Sequence, residues 1–206
     1  MVMAKVCGIT RPEDARLASD AGADAIGLVF AESPRKVSVE EAKKVAEALP
    51  NGVLKVGVFV NAEPDEVLHI AREVGLNLAQ LHGDEGADAV TQLRAGGLRV
   101  MKAVRVRDAG SLEDIERYGA DLYLLDAYSE RTRGGTGERF DWGLAEAFRG
   151  CDNILISGGI TPENVAEAVE FFEPYGVDAS SSLESVPGEK DNERVRRFVS
   201  AAKSRA

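Results

Sequence analysis

The chain predicts a single α/β domain over residues 1–206, folded as a (β/α)8 barrel of the TIM type. Three observations predict it. Eight short runs rich in Val, Ile and Leu recur along the chain, mostly without polar alternation, as in parallel strands buried on both faces. Amphipathic stretches with helix-start signals lie between them. The returns from those stretches to the next run carry Gly, which supplies the left-handed conformation that ends a helix.

In order, the apolar runs are residues 4–7, 25–30, 55–60, 78–81, 99–104, 122–126, 153–157 and 176–180. The first helical stretch opens at Thr10-Arg11-Pro12-Glu13, with Thr10 an N-cap candidate and Pro12 in the first turn. Ser38-Val39-Glu40-Glu41, Ser111-Leu112-Glu113-Asp114 and Thr161-Pro162-Glu163-Asn164 read as capping boxes. Trp142 opens the sixth stretch as a packing anchor, and residues 192–202 form the eighth. Gly returns occur at Gly22, Gly75, Gly96-Gly97, Gly119 and Gly176. An open doubly wound sheet is the competing architecture. It has fewer strands and a Gly-rich fingerprint after the first, which Cys7-Gly8-Ile9-Thr10 is not.

A formal net charge of -10 argues against nucleic acid, whose binding needs clustered Lys and Arg. Two cysteines in separate apolar contexts do not suggest a disulfide scaffold, and a reducing cytoplasm is the expected location. No apolar run approaches membrane-spanning length, so no membrane partner is expected. Monomer and homodimer both remain open.

In such a barrel the active site forms from the strand C-termini and the loops after them. Cys7, Arg35, Asn61, His82, Asp126, Ser157, Gly158-Gly159, Asp178 and Ser180-Ser181-Ser182 all fall there. The longest loops on that face are residues 31–37 and 127–140. Gly158 and Gly159, with Ser181 and Ser182, form a donor-rich pair of loops after the last two strands, where many barrels hold a phosphate. Cys7 and Asp126, at the ends of the first and sixth strands, make an acid/base pair across the barrel mouth. Arg35 can pair with a substrate carboxylate. Gln80 and His82 flank the cavity by alternation, and Asp178 joins them as a substrate contact. His82 has no second ligand at metal spacing, and Cys151 reads as structural.

Several segments together resemble phosphoribosylanthranilate isomerase of tryptophan biosynthesis. They are Lys5-Val6-Cys7-Gly8-Ile9-Thr10, Ser33-Pro34-Arg35, Val56-Gly57-Val58-Phe59-Val60-Asn61, Gln80-Leu81-His82-Gly83 and Leu124-Leu125-Asp126. Gly134-Gly135-Thr136-Gly137, Phe140-Asp141-Trp142, Ser157-Gly158-Gly159, Pro187-Gly188 and Lys190-Asp191 complete the set. The resemblance implies a (β/α)8 barrel without cofactor or metal, acting on a small-molecule substrate. It implies an Amadori rearrangement of N-(5-phosphoribosyl)anthranilate to 1-(2-carboxyphenylamino)-1-deoxyribulose 5-phosphate. The family's general base then falls on Cys7, its acid on Asp126 and its carboxylate-binding Arg on Arg35.

The chain departs from the family's pattern at Ser182, where a Gly is usual. Either the Ser182 hydroxyl joins the phosphate contacts, which is the favoured expectation, or the loop carries a strained backbone. Arg131 and Arg133 on the strand-six loop receive no role. The nearest rival is the Amadori isomerase of histidine biosynthesis, expected to have a carboxylate at the end of strand one and a second phosphate site. A barrel that binds a sugar phosphate without turning it over is the rival from another class. Cys7 and a single convincing phosphate site weigh against the first, and intact Cys7 and Asp126 against the second.

Overall fold

Two-faced burial of the apolar runs decides how the chain closes. In the computed structural model, which describes residues 2–127 and 141–204, they form a closed barrel of eight parallel strands hydrogen-bonded in chain order. The strands are β1 (Met3–Cys7), β2 (Ala25–Val29), β3 (Leu54–Phe59), β4 (Leu78–Leu81), β5 (Arg99–Val106), β6 (Leu122–Ala127), β7 (Ile154–Ile156) and β8 (Gly176–Ala179). Closure is parallel, with Lys5 of β1 opposite Asp178 of β8.

Successive residues of each strand point to opposite sides. One set, including Ala25, Val56, Leu78, Met101, Leu122, Leu124 and Leu155, packs as an apolar cluster inside the barrel. The other, including Val6, Ile26, Leu28, Phe59, Leu81, Leu125 and Val177, packs under the helices. Both sets are buried, which is why the runs lack a polar alternation.

The helices are α1 (Pro12–Asp20), α2 (Val39–Glu47), α3 (Pro64–Val74), α4 (Ala87–Ala95), α5 (Val165–Phe172) and α6 (Asn192–Lys203). The expected box at α2 is present: Ser38 Oγ accepts the Glu41 N–H, and Glu41 Oε2 accepts the Ser38 N–H. Three other helix starts differ from expectation. Pro12 at the first helical position makes Arg11 the N-cap, and the Thr10 hydroxyl instead donates to the Gly188 carbonyl at 2.6 Å. Asn164, not Thr161, precedes α5, although the Thr161 N–H donates to Asn164 Oδ1 at 2.8 Å.

The third concerns Ser111. Between β5 and β6 the chain forms two 3-10 turns, Ala109–Leu112 and Ile115–Tyr118, and no α-helix. Asp108 is the cap there, accepting the Ser111 N–H, and Asp114 at φ 53° separates the two turns. Trp142 likewise opens a 3-10 segment, Trp142–Phe148, and not an α-helix. It is the expected anchor, with its ring 5.5 Å from Phe172 and 5.8 Å from Phe171.

A hairpin absent from the sequence expectation follows β8: β9 (Glu184–Val186) pairs antiparallel with β10 (Glu189–Lys190) around Pro187-Gly188. Of the expected long loop after β6, residues 127–140, Ala127 ends β6 itself. Residues 128–140, with Arg131, Arg133, Gly134-Gly135-Thr136-Gly137 and Phe140, lie outside the described residues.

Candidate active site

Strand alternation puts Lys5 and Cys7 on the inward face of β1, two residues apart. Cys7 Sγ needs the space that a side chain on β2 would fill, because a Cβ at Gly27 would lie 2.6 Å from it. Lys5 is fully buried, and its Nζ meets Asp178 Oδ1 at 2.8 Å. Asp178 Oδ2 in turn accepts the Ser157 hydroxyl at 3.3 Å. Burial pushes the Cys7 thiol above its ordinary range. Lys5 and Lys190 pull it back, while Asp178 adds to the rise. Burial alone would depress Lys5, but Asp178 and Cys7 outweigh it and hold the ammonium above its usual value.

Across the mouth, Asp126 at the end of β6 is buried and lies 3.0 Å from His82 Nε2. His82 follows β4, and its other ring nitrogen lies 3.0 Å from Gln80 Nε2. A buried ion pair below holds this corner rigid. Lys102 Nζ reaches Glu85 at 3.0 Å and the Gly83 carbonyl at 2.8 Å, while Glu85 accepts the N–H of Asn61 and of Gly83. Asn61 therefore serves the wall more than the cavity, and its φ of 53° is fixed by those bonds.

Arg35 on the loop after β2 is not a solvated charge. Its Nε and Nη2 bind the two oxygens of Glu184, both at 2.7 Å. Lys190 Nζ reaches Glu184 Oε1 at 2.8 Å and the Ser180 carbonyl at 3.2 Å. For Glu184, burial opposes ionisation, but bonds to Arg35 and Lys190 prevail and hold its carboxyl below the usual range. Burial lowers Lys190, with Glu184 offsetting only part of it.

After β7, Gly158 and Gly159 both adopt positive φ, 71° and 72°. A Cβ on Gly158 would come within 2.2 Å of the Ala127 backbone nitrogen, so only glycine lets this turn pack on β6. Ser182 lies in a short 3-10 turn, Ser181–Leu183, and donates its hydroxyl to the Ile160 carbonyl at 2.6 Å. It is not among the left-handed non-glycine residues Asn61, Asp114 and Glu173. The strained-backbone alternative is therefore ruled out, and the hydroxyl ties one loop to the other.

All ten candidates, Cys7, Arg35, Gln80, His82, Asp126, Gly158, Gly159, Asp178, Ser181 and Ser182, line one cavity of about 910 Å³ at the C-terminal mouth of the barrel. Among the described residues no group of three or more His, Cys, Asp or Glu is placed to hold a metal ion. Sequence reasoning missed Lys5, Glu184 and Lys190. A lysine two residues before Cys7, inside an apolar strand, was a readable signal for the first. The other two come to the site through the hairpin, which sequence did not disclose.

Known proteins are similar to this chain over nearly its whole length. A family model described as N-(5'phosphoribosyl)anthranilate (PRA) isomerase matches residues 4–201. An N-(5'-phosphoribosyl)anthranilate isomerase of Rubrobacter xylanophilus is 64% identical over 206 residues, covering 99% of this chain and 100% of that one. The crystal structure of phosphoribosyl anthranilate isomerase from Thermotoga maritima superposes with a TM-score of 0.91 at 39% identity, covering 99% of this chain and all of that one. A phosphoribosyl anthranilate isomerase in complex with reduced 1-(o-carboxyphenylamino)-1-deoxyribulose 5-phosphate gives 0.88 at 39% identity, again over 99% and 100% of the chains.

Proposed function

The chain belongs to the N-(5'-phosphoribosyl)anthranilate isomerase family, and on that premise we propose that Cys7 is its general base and Asp126 its general acid. The reaction is the rearrangement of N-(5-phosphoribosyl)anthranilate to 1-(2-carboxyphenylamino)-1-deoxyribulose 5-phosphate, a step of tryptophan biosynthesis. The observation that carries the residue assignment is the shared cavity: Cys7 from β1 and Asp126 from β6 both border it.

Asp126 gives a proton to the ribose ring oxygen, and the ring opens to an iminium ion. Cys7 then takes the proton from C2′, leaving an enolamine that tautomerises to the ketose. A thiol pushed up by burial is a poor base at rest. Lys5 counters that directly, and the iminium adds a second positive charge beside the thiol at the moment it must ionise. Base strength is thus tied to the step that precedes it.

The backbone N–H groups around Gly158, Gly159, Ser181 and Ser182 hold the phosphate, and Arg35 holds the anthranilate carboxylate at the other end. Asp178 meets the substrate between them. Anchors at both ends place C2′ against the thiol, which is how remote binding energy becomes rate. Two free cysteines accord with a cytoplasmic location, as monomer or homodimer. A spectroscopic assay with phosphoribosylanthranilate tests the reading. Turnover by the purified chain is expected, and its absence would leave a barrel that only binds.

A further inference from the structure

We propose that Gln80 is a positioning residue that locks His82 in one neutral tautomer, so that His82 presents an N–H to Asp126 and fixes where the catalytic proton sits. This rests on the assignment of Asp126 as the acid. Gln80 is 1% exposed, so bulk water competes little for its amide. Its Nε2 stands 3.0 Å from His82 Nδ1, and His82 Nε2 stands 3.0 Å from Asp126 Oδ2. In this amide orientation Nε2 can only donate, which makes Nδ1 the accepting nitrogen. The ring proton then lies on Nε2 and points at Asp126. Asp126 Oδ2 then accepts that N–H, with or without a proton on Oδ1, so this neutral ring closes the chain Gln80–His82–Asp126.

The chemical consequence concerns which Asp126 oxygen reacts. With Oδ2 held by the imidazole N–H, the acidic proton belongs on Oδ1, away from His82. Once that proton moves to the substrate, the new carboxylate already has a donor in place, and a hydrogen bond to a charged acceptor is stronger than one to a neutral acid. The acid is therefore stabilised more after it has given up its proton than before. Gln80 contributes through His82 and not by touching the reacting atoms.

The arrangement also leaves a cost in view. Gln80 Oε1 is buried without a hydrogen-bond partner among the described residues. An apolar side chain of similar size would avoid that unsatisfied acceptor. The donor the amide supplies to Nδ1 offsets that unpaired oxygen.

The histidines number two, His69 and His82, which makes the ring nitrogens easy to observe. Long-range proton–nitrogen NMR of ¹⁵N-labelled enzyme, with His69→Gln to assign the signals, reads the His82 tautomer without substrate. The expected result is one Nε2–H form at neutral pH. A dominant Nδ1–H form, an imidazolium or a mixture overturns the proposal, and this measurement needs no variant at Gln80. In Gln80→Leu the Nδ1–H form should appear, kcat should fall with the remaining Nε2–H fraction, and KM should change less than about two-fold. His82→Leu, which removes the donor itself, should lose roughly 10- to 150-fold in kcat. A Gln80→Leu enzyme with mixed tautomers and full kcat would also sink the idea. Failure of the acid assignment looks different: Asp126→Asn would then keep its turnover whatever tautomer His82 shows.

Discussion

Arg35 and Glu184 lie side by side, joined by two hydrogen bonds of 2.7 Å through Nε and Nη2. They are 149 residues apart in sequence and meet because the hairpin β9–β10 folds back over the loop after β2. The pair uses the Nε side of the guanidinium and leaves the Nη1 side of the same planar fork turned away from Glu184. Lys190, on the same Glu184 oxygen as Arg35 Nε, keeps the carboxylate charged without exposing it. Under the proposed role of Arg35 as carboxylate anchor, Glu184 fixes the guanidinium before the substrate arrives.

Arg35→Met should raise KM for the carboxylated substrate much more than it lowers kcat, since an anchor contributes mainly uniform binding. Glu184→Gln, which frees the guanidinium without removing it, should raise KM by a smaller factor. Steady-state kinetics on both variants check this. An unchanged KM in Arg35→Met would place the carboxylate elsewhere, with Arg131 and Arg133 the next candidates.

Cys7→Ser and Asp126→Asn should each abolish most turnover while leaving the fold and product binding largely intact. A positioned acid or base is worth about 10²–10⁴-fold in rate. Circular dichroism and product titration establish the intact fold. A variant that keeps a third of the wild-type kcat would remove that residue from the mechanism.

Lys5→Met should move the acid limb of the kcat/KM profile to higher pH. The sign follows from Cys7: burial already raises the thiol and Lys5 lowers it, so removing the ammonium raises it further. Less thiolate is then present at any given pH, and activity returns as pH increases. An opposite charge at this range is worth about 1–3 pH units. Lys5→Arg keeps the charge and should recover part of the shift. A Lys5→Met profile that drops evenly at all pH values would mean Lys5 supports packing alone.

How much of this was legible in the sequence depends on distance along the chain. The barrel was legible because each strand declares itself through its own unalternated apolar run. Cys7, Gln80, Asp126 and Asp178 were legible because period-2 alternation and a strand end fix where a side chain points. The helical stretches after β5 and β6 were misread. Capping signals there are real, but Asp108 outcompetes Ser111 and left-handed Asp114 interrupts the helix. Glu184 and Lys190 were out of reach, because nothing local reports a hairpin whose purpose is to contact a loop more than a hundred residues earlier. Ser182 shows the same limit: its partner, the Ile160 carbonyl, belongs to a different loop.

That partner decides the last prediction. The Ser182 hydroxyl donates at 2.6 Å to the Ile160 carbonyl, so its proton is committed and cannot also be given to a phosphate oxygen. Its backbone is unstrained, so glycine would relieve nothing there. Ser182→Gly keeps the N–H that a phosphate would use, but deletes the bond that ties the β8 loop to the β7 loop. The lost hydrogen bond costs about 0.5–1.5 kcal/mol and the freer glycine backbone about 0.4–1 kcal/mol more. For a domain of this size that is roughly 2–10 °C in melting temperature. Affinity for inorganic phosphate should change less than about three-fold, since direct contacts remain and only loop order is weakened. A variant that melts at the wild-type temperature and binds phosphate ten-fold more weakly would return the hydroxyl to the phosphate site.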